Sequence, residues 1–368
     1  MINLLTRVLS AVPVKVFGET WTARDSNRRW AKIAMSGGGQ YQIAYTDSIG
    51  TGANQLYVSS DYGSTWTAKE SPRVWSDIKL SFDGEIQVAL ENNPTSGQIY
   101  ISYDFGNTWE AKGPTIEQFF TYDFKFAGMS SDGQIITALT DGFMHRSVDS
   151  GNTWTRFLNG PWEVGAGAFS GVAMSLSGQR QIVGTNTYVF TSDNYGSSWT
   201  TALSRRDISQ PVVSATAQIQ MLFCKETQFQ PLPQINVSVD FGATWAKKEF
   251  ITTRDWRKLA ISADGTRAAG IVGGNQIFVS SNTGNTWVSK LTATVTGTLF
   301  LLEMSSSGKN IIAASNQQIY VSTDFGENWA LKYSGQIITD AKIASDGTRG
   351  SATLTTEKIY TTQRTRLI

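Results

Sequence analysis

Residues that carry chemistry are scarce in this chain. Among 368 residues there is one cysteine, Cys224, and one histidine, His145. A lone cysteine excludes an internal disulfide framework and reads as a buried thiol. A lone histidine excludes His-rich metal sites and His–His relays. Ser–His–Asp chemistry would have to use His145, which falls in a strand-like run beside a turn and reads as structural. No apolar run reaches membrane-spanning length, so no membrane insertion is expected. Residues 1–13 are mildly apolar, but Arg7 interrupts them and no basic leader precedes a long apolar region. A secretory signal is therefore not expected, and a cytoplasmic or virion-associated location is favoured. Net charge is also low, at +1, which speaks against a globally basic nucleic-acid binder. Walker and Rossmann motifs are absent. No cofactor or metal site is expected.

Tryptophan and glycine, in contrast, are plentiful and regularly placed. Seven boxes built on the pattern Ser-x-Asp-x-Gly-x-Thr-Trp run through the chain, with Ser, Gly and Trp in all seven. Their key residues are Ser59, Asp61, Gly63 and Trp66; Ser102, Asp104, Gly106 and Trp109; Ser147, Asp149, Gly151 and Trp154; Ser192, Asn194, Gly196 and Trp199. The series continues with Ser238, Asp240, Gly242 and Trp245; Ser280, Asn282, Gly284 and Trp287; Ser322, Asp324, Gly326 and Trp329. The tryptophans are spaced by 43, 45, 45, 46, 42 and 42 residues. A fixed period in this range signals a repeat architecture. Each copy lies between two strand-like runs and reads as a hairpin turn. Its glycine can take a positive φ, and its Ser and Asp can bond the turn's own amides. Its tryptophan packs beside the turn and needs a partner for the indole N–H.

This pattern resembles the Asp-box, or BNR, repeat of sialidases, sortilin-type receptors and related β-propellers, and the resemblance covers nearly the whole chain. In that family the boxes are structural, so a structural role is expected for these acids. Asn194 and Asn282 keep the turn-capping ability without the charge.

Each repeat follows one plan of four strands, A to D. Asp-Gly, Ser-Gly or Gly-Gly turns join A to B, and the box joins C to D. Strand A recurs as Trp30-Ala-Lys-Ile-Ala-Met-Ser36, Ser76-Asp-Ile-Lys-Leu-Ser81, Trp256-Arg-Lys-Leu-Ala-Ile-Ser262 and their counterparts. Unit five is irregular, with a Pro-rich insertion from Lys225 to Pro233. Eight A–B–C sets can be counted, and the last, ending Glu357-Lys-Ile-Tyr-Thr-Thr362, has no following box. Val14 to Trp21 is half a box feeding a lone D strand, Trp21-Thr-Ala-Arg24. The two deficits complement each other. The expected fold is all-β: an eight-bladed propeller of four-stranded antiparallel blades, closed when the N-terminal strand completes the C-terminal blade. Seven blades with a leftover half blade is the alternative. Residues 1–13 read as a tail and 14–368 as a single propeller domain.

In such a blade the A–B and C–D turns share one face and the B–C and D–A loops the other. The second set varies here, and variable loops on a rigid scaffold usually carry recognition. The D–A loops pair arginine with aromatic rings: Arg28, Arg29 and Trp30; Arg73 and Trp75; Arg254, Trp256 and Arg257; with Tyr122 and Trp162 adding aromatic area. These ten residues form the candidate ligand face, for an anionic glycan or an acidic protein. The competing reading is that the tryptophans open strand A and pack between blades.

The resemblance also raises glycoside hydrolysis. The Phe/Tyr-Arg-Ile-Pro signature of sialidases is absent, and that group has six blades. A two-carboxylate mechanism, as in Asp-box xyloglucanases, could draw on Asp25, Asp77, Asp123, Asp207, Asp255 or Asp340, all near the D–A loops. Nothing in the sequence singles out a pair. The expectation is a non-catalytic propeller that binds protein or glycan. Its repeats look like those of proteins from giant DNA viruses and some algae and bacteria, which suggests a virion or host-interaction role. Photosystem II assembly factors share the box and an arginine-bearing face and form the other resemblance.

Overall fold

The computed structural model describes residues 17–25, 27–47, 54–93, 97–114, 123–140, 142–157, 168–225, 233–248, 255–273, 275–291, 295–355 and 358–363. Within them the chain forms thirty-two strands, arranged as eight four-stranded antiparallel sheets, and no helix. The protein is an eight-bladed β-propeller. Blade 1 runs Trp30–Met35, Gln42–Thr46, Asn54–Ser59 and Thr67–Arg73, from channel to rim. The inner strands of blades 2 to 8 are Trp75–Leu80, Phe126–Met129, Phe169–Met174, Val212–Val213, Trp256–Ile261, Leu299–Met304 and Ile338–Ile343.

Strand composition explains this order. Second strands such as Gln87–Glu91, Ala268–Val272 and Ile311–Ser315 are buried at every position. They lack the apolar–polar alternation of a half-exposed sheet because each blade has a neighbour on both faces. Residues from adjacent blades interdigitate: Ile43 and Leu56 of blade 1 pack with Trp75, Ile78 and Tyr100 of blade 2. Six inner strands shift register after their first residue, at Ala31, Ser76, Ser170, Arg257, Phe300 and Thr339. Such bulges bend a strand and re-aim the side chains that follow, here around the channel.

The closure is the expected one. Thr22–Arg24 pairs antiparallel with the third strand of blade 8, matching Thr22 to Thr361, Ala23 to Tyr360 and Arg24 to Ile359. Just before it, Phe17 is 1% exposed among Ile312, Val321, Ile338 and Leu354 of blades 7 and 8. Burial of a ring this size stabilises by about 1.5–3 kcal/mol.

A second closure runs through the A–B turns. Gly37 N donates to Phe82 O, Phe82 N to Ser131 O, Ser131 N to Leu176 O and Leu176 N to Ala215 O. Ala215 N then donates to Ala263 O, Ala263 N to Ser306 O, Ser306 N to Ser345 O, and Ser345 N back to Gly37 O. These eight bonds, 2.6–2.8 Å long, form an unbroken circle through every blade. Eight successive A–B turns, one from each blade, close this circle, which accounts for eight blades and not seven.

Candidate functional site

The seven turns that carry the repeated motif share one geometry. In the first, Ser59 Oγ accepts from Gly63 N (2.9 Å) and donates to Asp61 Oδ1 (2.9 Å). Asp61 accepts from Thr65 N and Thr65 Oγ1 (2.8 and 2.7 Å), and Trp66 Nε1 donates to Gly63 O (3.1 Å). Tyr62 and Gly63 both take positive φ, 64° and 76°, which only glycine adopts freely. Partial burial raises the pKa of Asp61, but the bonds from Thr65 and Ser59 outweigh it and hold the carboxyl below its usual range. Asn194 and Asn282 keep the acceptor bonds, and their Nδ2 groups donate to Ser198 Oγ (2.8 Å) and Thr286 Oγ1 (2.9 Å). In all seven turns the repeated Ser and Asp or Asn side chains bond within their own turn. Among the described residues, no three His, Cys, Asp or Glu side chains gather as a metal site requires.

On the opposite face, the structure separates the arginines from the tryptophans. Trp30, Trp75 and Trp256 are the first residues of inner strands and are 0%, 3% and 2% exposed. Of the two readings of these rings, their burial agrees with packing between blades and not with a place on a ligand face. Each packs edge-on against a third-strand aromatic of its own blade: Trp30 on Tyr57, Trp75 on Tyr100, Trp256 on Phe278. An indole at the head of strand A fills the gap between blades and removes large apolar area from water. Gly270 makes room for one of them; a Cβ there would lie 2.5 Å from the Trp256 ring.

The guanidinium groups stay at the surface. Arg28 stacks on Tyr57 (4.4 Å to the ring centre) and bonds Asp25, while Arg29 pairs with Asp47 at 3.2 Å. Arg73 stacks on Tyr100 (4.3 Å) with Glu70 and Glu91 each at 3.8 Å. Burial raises the pKa of Glu91, opposed by Arg73. Arg257 pairs with Asp255 at 2.7 Å and keeps half its side chain exposed. Arg254, Tyr122 and Trp162 lie outside the described residues.

The six candidate acids divide in the same way. Asp25, Asp123, Asp207 and Asp255 sit on the loop face against Arg28, Lys125, Lys225 and Arg257. Asp77 and Asp340 instead lie deep in the channel wall, in equivalent places on blades 2 and 8. Asp77 accepts from Ile78 N (3.0 Å) and from Ala127 N of blade 3 (2.9 Å). Asp340 accepts from Ala341 N (2.9 Å) and from Ile33 N of blade 1 (3.2 Å). Each carboxylate thus ties its inner strand to the next. Full burial works to raise the pKa of Asp77, but Lys79 and Lys32, each 2.7 Å away, overcome it and hold the group well below the carboxylate range. It is no general acid.

The sequence reading missed the partners of these acids. Lys32, Lys79, Lys258, Lys342 and Glu303 line a recess of about 540 Å³ in the channel, together with Asp340. Their signal was available. They interrupt apolar inner strands at alternate positions, as in Lys32 beside Ile33, or Asp340-Ala-Lys342, and alternate residues of a strand share a face. Burial lowers the pKa of Lys79, partly offset by Asp77. For Lys342, burial is outweighed by Asp340 and Glu303, which raise it.

His145 is buried in the third strand of blade 3 with Phe124 edge-on at 5.5 Å. Burial, then Arg156, lowers its pKa to about 3, so it is neutral at physiological pH. Cys224 is likewise buried and accepts from Asn236 Nδ2 at 3.1 Å.

No family model matches the chain, and no curated protein matches its sequence. Solved propellers do match its fold. The Dos1 propeller gives a TM-score of 0.70 at 11% identity, over 94% of each chain. A structure described as YCF48 bound to D1 peptide gives 0.57 at 16% identity, over 79% of this chain and 93% of that one. The GH74 xyloglucanase from Xanthomonas campestris gives 0.53 at 12%, over 90% of this chain and 65% of that one. At such identities the likeness is one of fold alone.

Proposed function

We propose that this propeller is a non-catalytic binding module whose loop face takes an acidic segment of a protein partner. The observation that carries the reading is the arrangement of Arg28, Arg29, Arg73 and Arg257. Arg28 and Arg73 lie on aromatic rings, each of the four guanidinium groups faces one or two carboxylates while staying partly exposed, and the neighbouring tryptophans are buried. A pre-positioned guanidinium fork suits a carboxylate, and its own acidic neighbour can be displaced by an incoming one. Sugars want an exposed aromatic platform, and Trp30, Trp75 and Trp256 do not offer one, which favours protein over glycan. That YCF48, a propeller of similar fold, has been captured with a peptide supports the same reading.

A glycosidase reading has less support. Asp77 and Asp340 are consumed by backbone amides and lysines, and the four outer acids face cations. The test is an array of glycans and acidic peptides probed with the purified protein, with hydrolysis assayed on every hit. Peptide binding that weakens with salt and drops in the Arg28→Ala/Arg257→Ala double variant, at unchanged melting temperature, is expected. Sugar turnover would overturn the proposal.

A further inference from the structure

Four lysines and two carboxylates, Glu303 and Asp340, line the channel recess, with a third carboxylate, Asp77, buried against two of the lysines; the pairing leaves one lysine over. Asp77 holds both Lys32 and Lys79 at 2.7 Å. Glu303 and Asp340 hold Lys342. Lys258 has no carboxylate within 4.0 Å among the described residues. It occupies the third position of the blade 6 inner strand, where blades 2 and 8 have Asp77 and Asp340. Gln210 and Leu301 from the flanking blades line the same recess, and both are uncharged. Burial lowers its pKa; Glu303 and Asp340 oppose this, while Lys342 and Lys32 add to it. Phe300 lines the same recess and is 40% exposed, an open apolar surface.

We propose that this recess binds one carboxylate group through Lys258, with the carbon chain behind it resting on Phe300 and Leu301. Charge selects the class. The four lysines, the two lining carboxylates and the buried Asp77 that pairs with Lys32 and Lys79 sum to a single positive charge, which one carboxylate neutralises. A phosphate brings about −1.5 to −2 charges toward Glu303 and Asp340 and suits the recess less well. Size agrees, since about 540 Å³ lies in the range of about 300–1,000 Å³ typical of ligand pockets. The carboxylate can come from an acidic peptide side chain or from a small free acid. The inference concerns the channel and not the rim arginines, so it stands or falls apart from the proposal of a protein partner.

Titration calorimetry on the full chain tests it with two pairs of probes. One pair is the blocked peptide acetyl-Ala-Leu-Glu-Ala-amide and its glutamine counterpart; the other is hexanoate and hexanamide. Expected is binding of at least one carboxylate probe, about tenfold or more tighter than its neutral twin, as a lost charged hydrogen bond requires. Lys258→Gln should bring the carboxylate probe down to the level of the neutral one, and Lys258→Arg should retain binding. Binding of the peptide alone assigns the site to a polypeptide, and binding of hexanoate to a free acid. The inference is overturned if neither carboxylate probe binds, if each neutral twin binds as well, or if Lys258→Gln changes nothing. Should that variant fail to fold, the comparison of twins still decides.

Discussion

Asn194 and Asn282 are the chain's own control on its turn aspartates. Both turns keep the positive φ, the Ser bonds and the Trp–Gly bond after losing the charge. What the position needs is a side-chain acceptor, and the charge adds only modestly to that. His145 allows a sharper test because no other histidine titrates beside it. Its pKa of about 3 in the folded chain lies below the usual value near 6.5, so the unfolded chain binds the extra proton first. Stability is then full above the unfolded pKa and falls as pH drops through it. The loss should reach about 2 kcal/mol between pH 8 and pH 5, read from urea unfolding at each pH. His145→Phe should remove that part of the pH dependence, and equal slopes in the two proteins would refute it.

The informative element is the inner strand. Its head left two readings open from sequence, because Trp30, Trp75 and Trp256 follow arginine-bearing loops and look continuous with them. One residue into the strand, packing between blades takes over and the ring turns inward. Its middle was overlooked because Lys32 and Lys79 in a strand ordinarily mark a solvated face, and a propeller channel is a second such face that only closure creates. Asp77 shows what is at stake there. It joins two blades through backbone amides and balances two ammonium groups. Asp77→Ala should cost about 3–5 kcal/mol by stranding those charges. Asp77→Asn should lose most of the same, since an amide cannot balance them. A change within experimental error for both would mean that water already solvates the lysines.

For the whole molecule, blade number and closure were legible because each motif fixes a turn and the two incomplete units complement each other. The loop-face site was not, since which side chains stay outside is decided by neighbours far away in sequence. Removal of residues 1–24 takes away Phe17 and the outer strand of blade 8 together. Loss of the single cooperative transition, seen by calorimetry or circular dichroism, is expected, and an unchanged melting curve would refute the role of that strand. The circle of eight backbone hydrogen bonds has a further consequence. Widening the channel mouth would lengthen all eight at once, and a hydrogen bond weakens steeply when stretched. That end of the channel therefore has a fixed calibre. Movement of one blade against the next is thereby resisted at the turn face, and the opposite, loop-bearing face is where the ring has room to adjust.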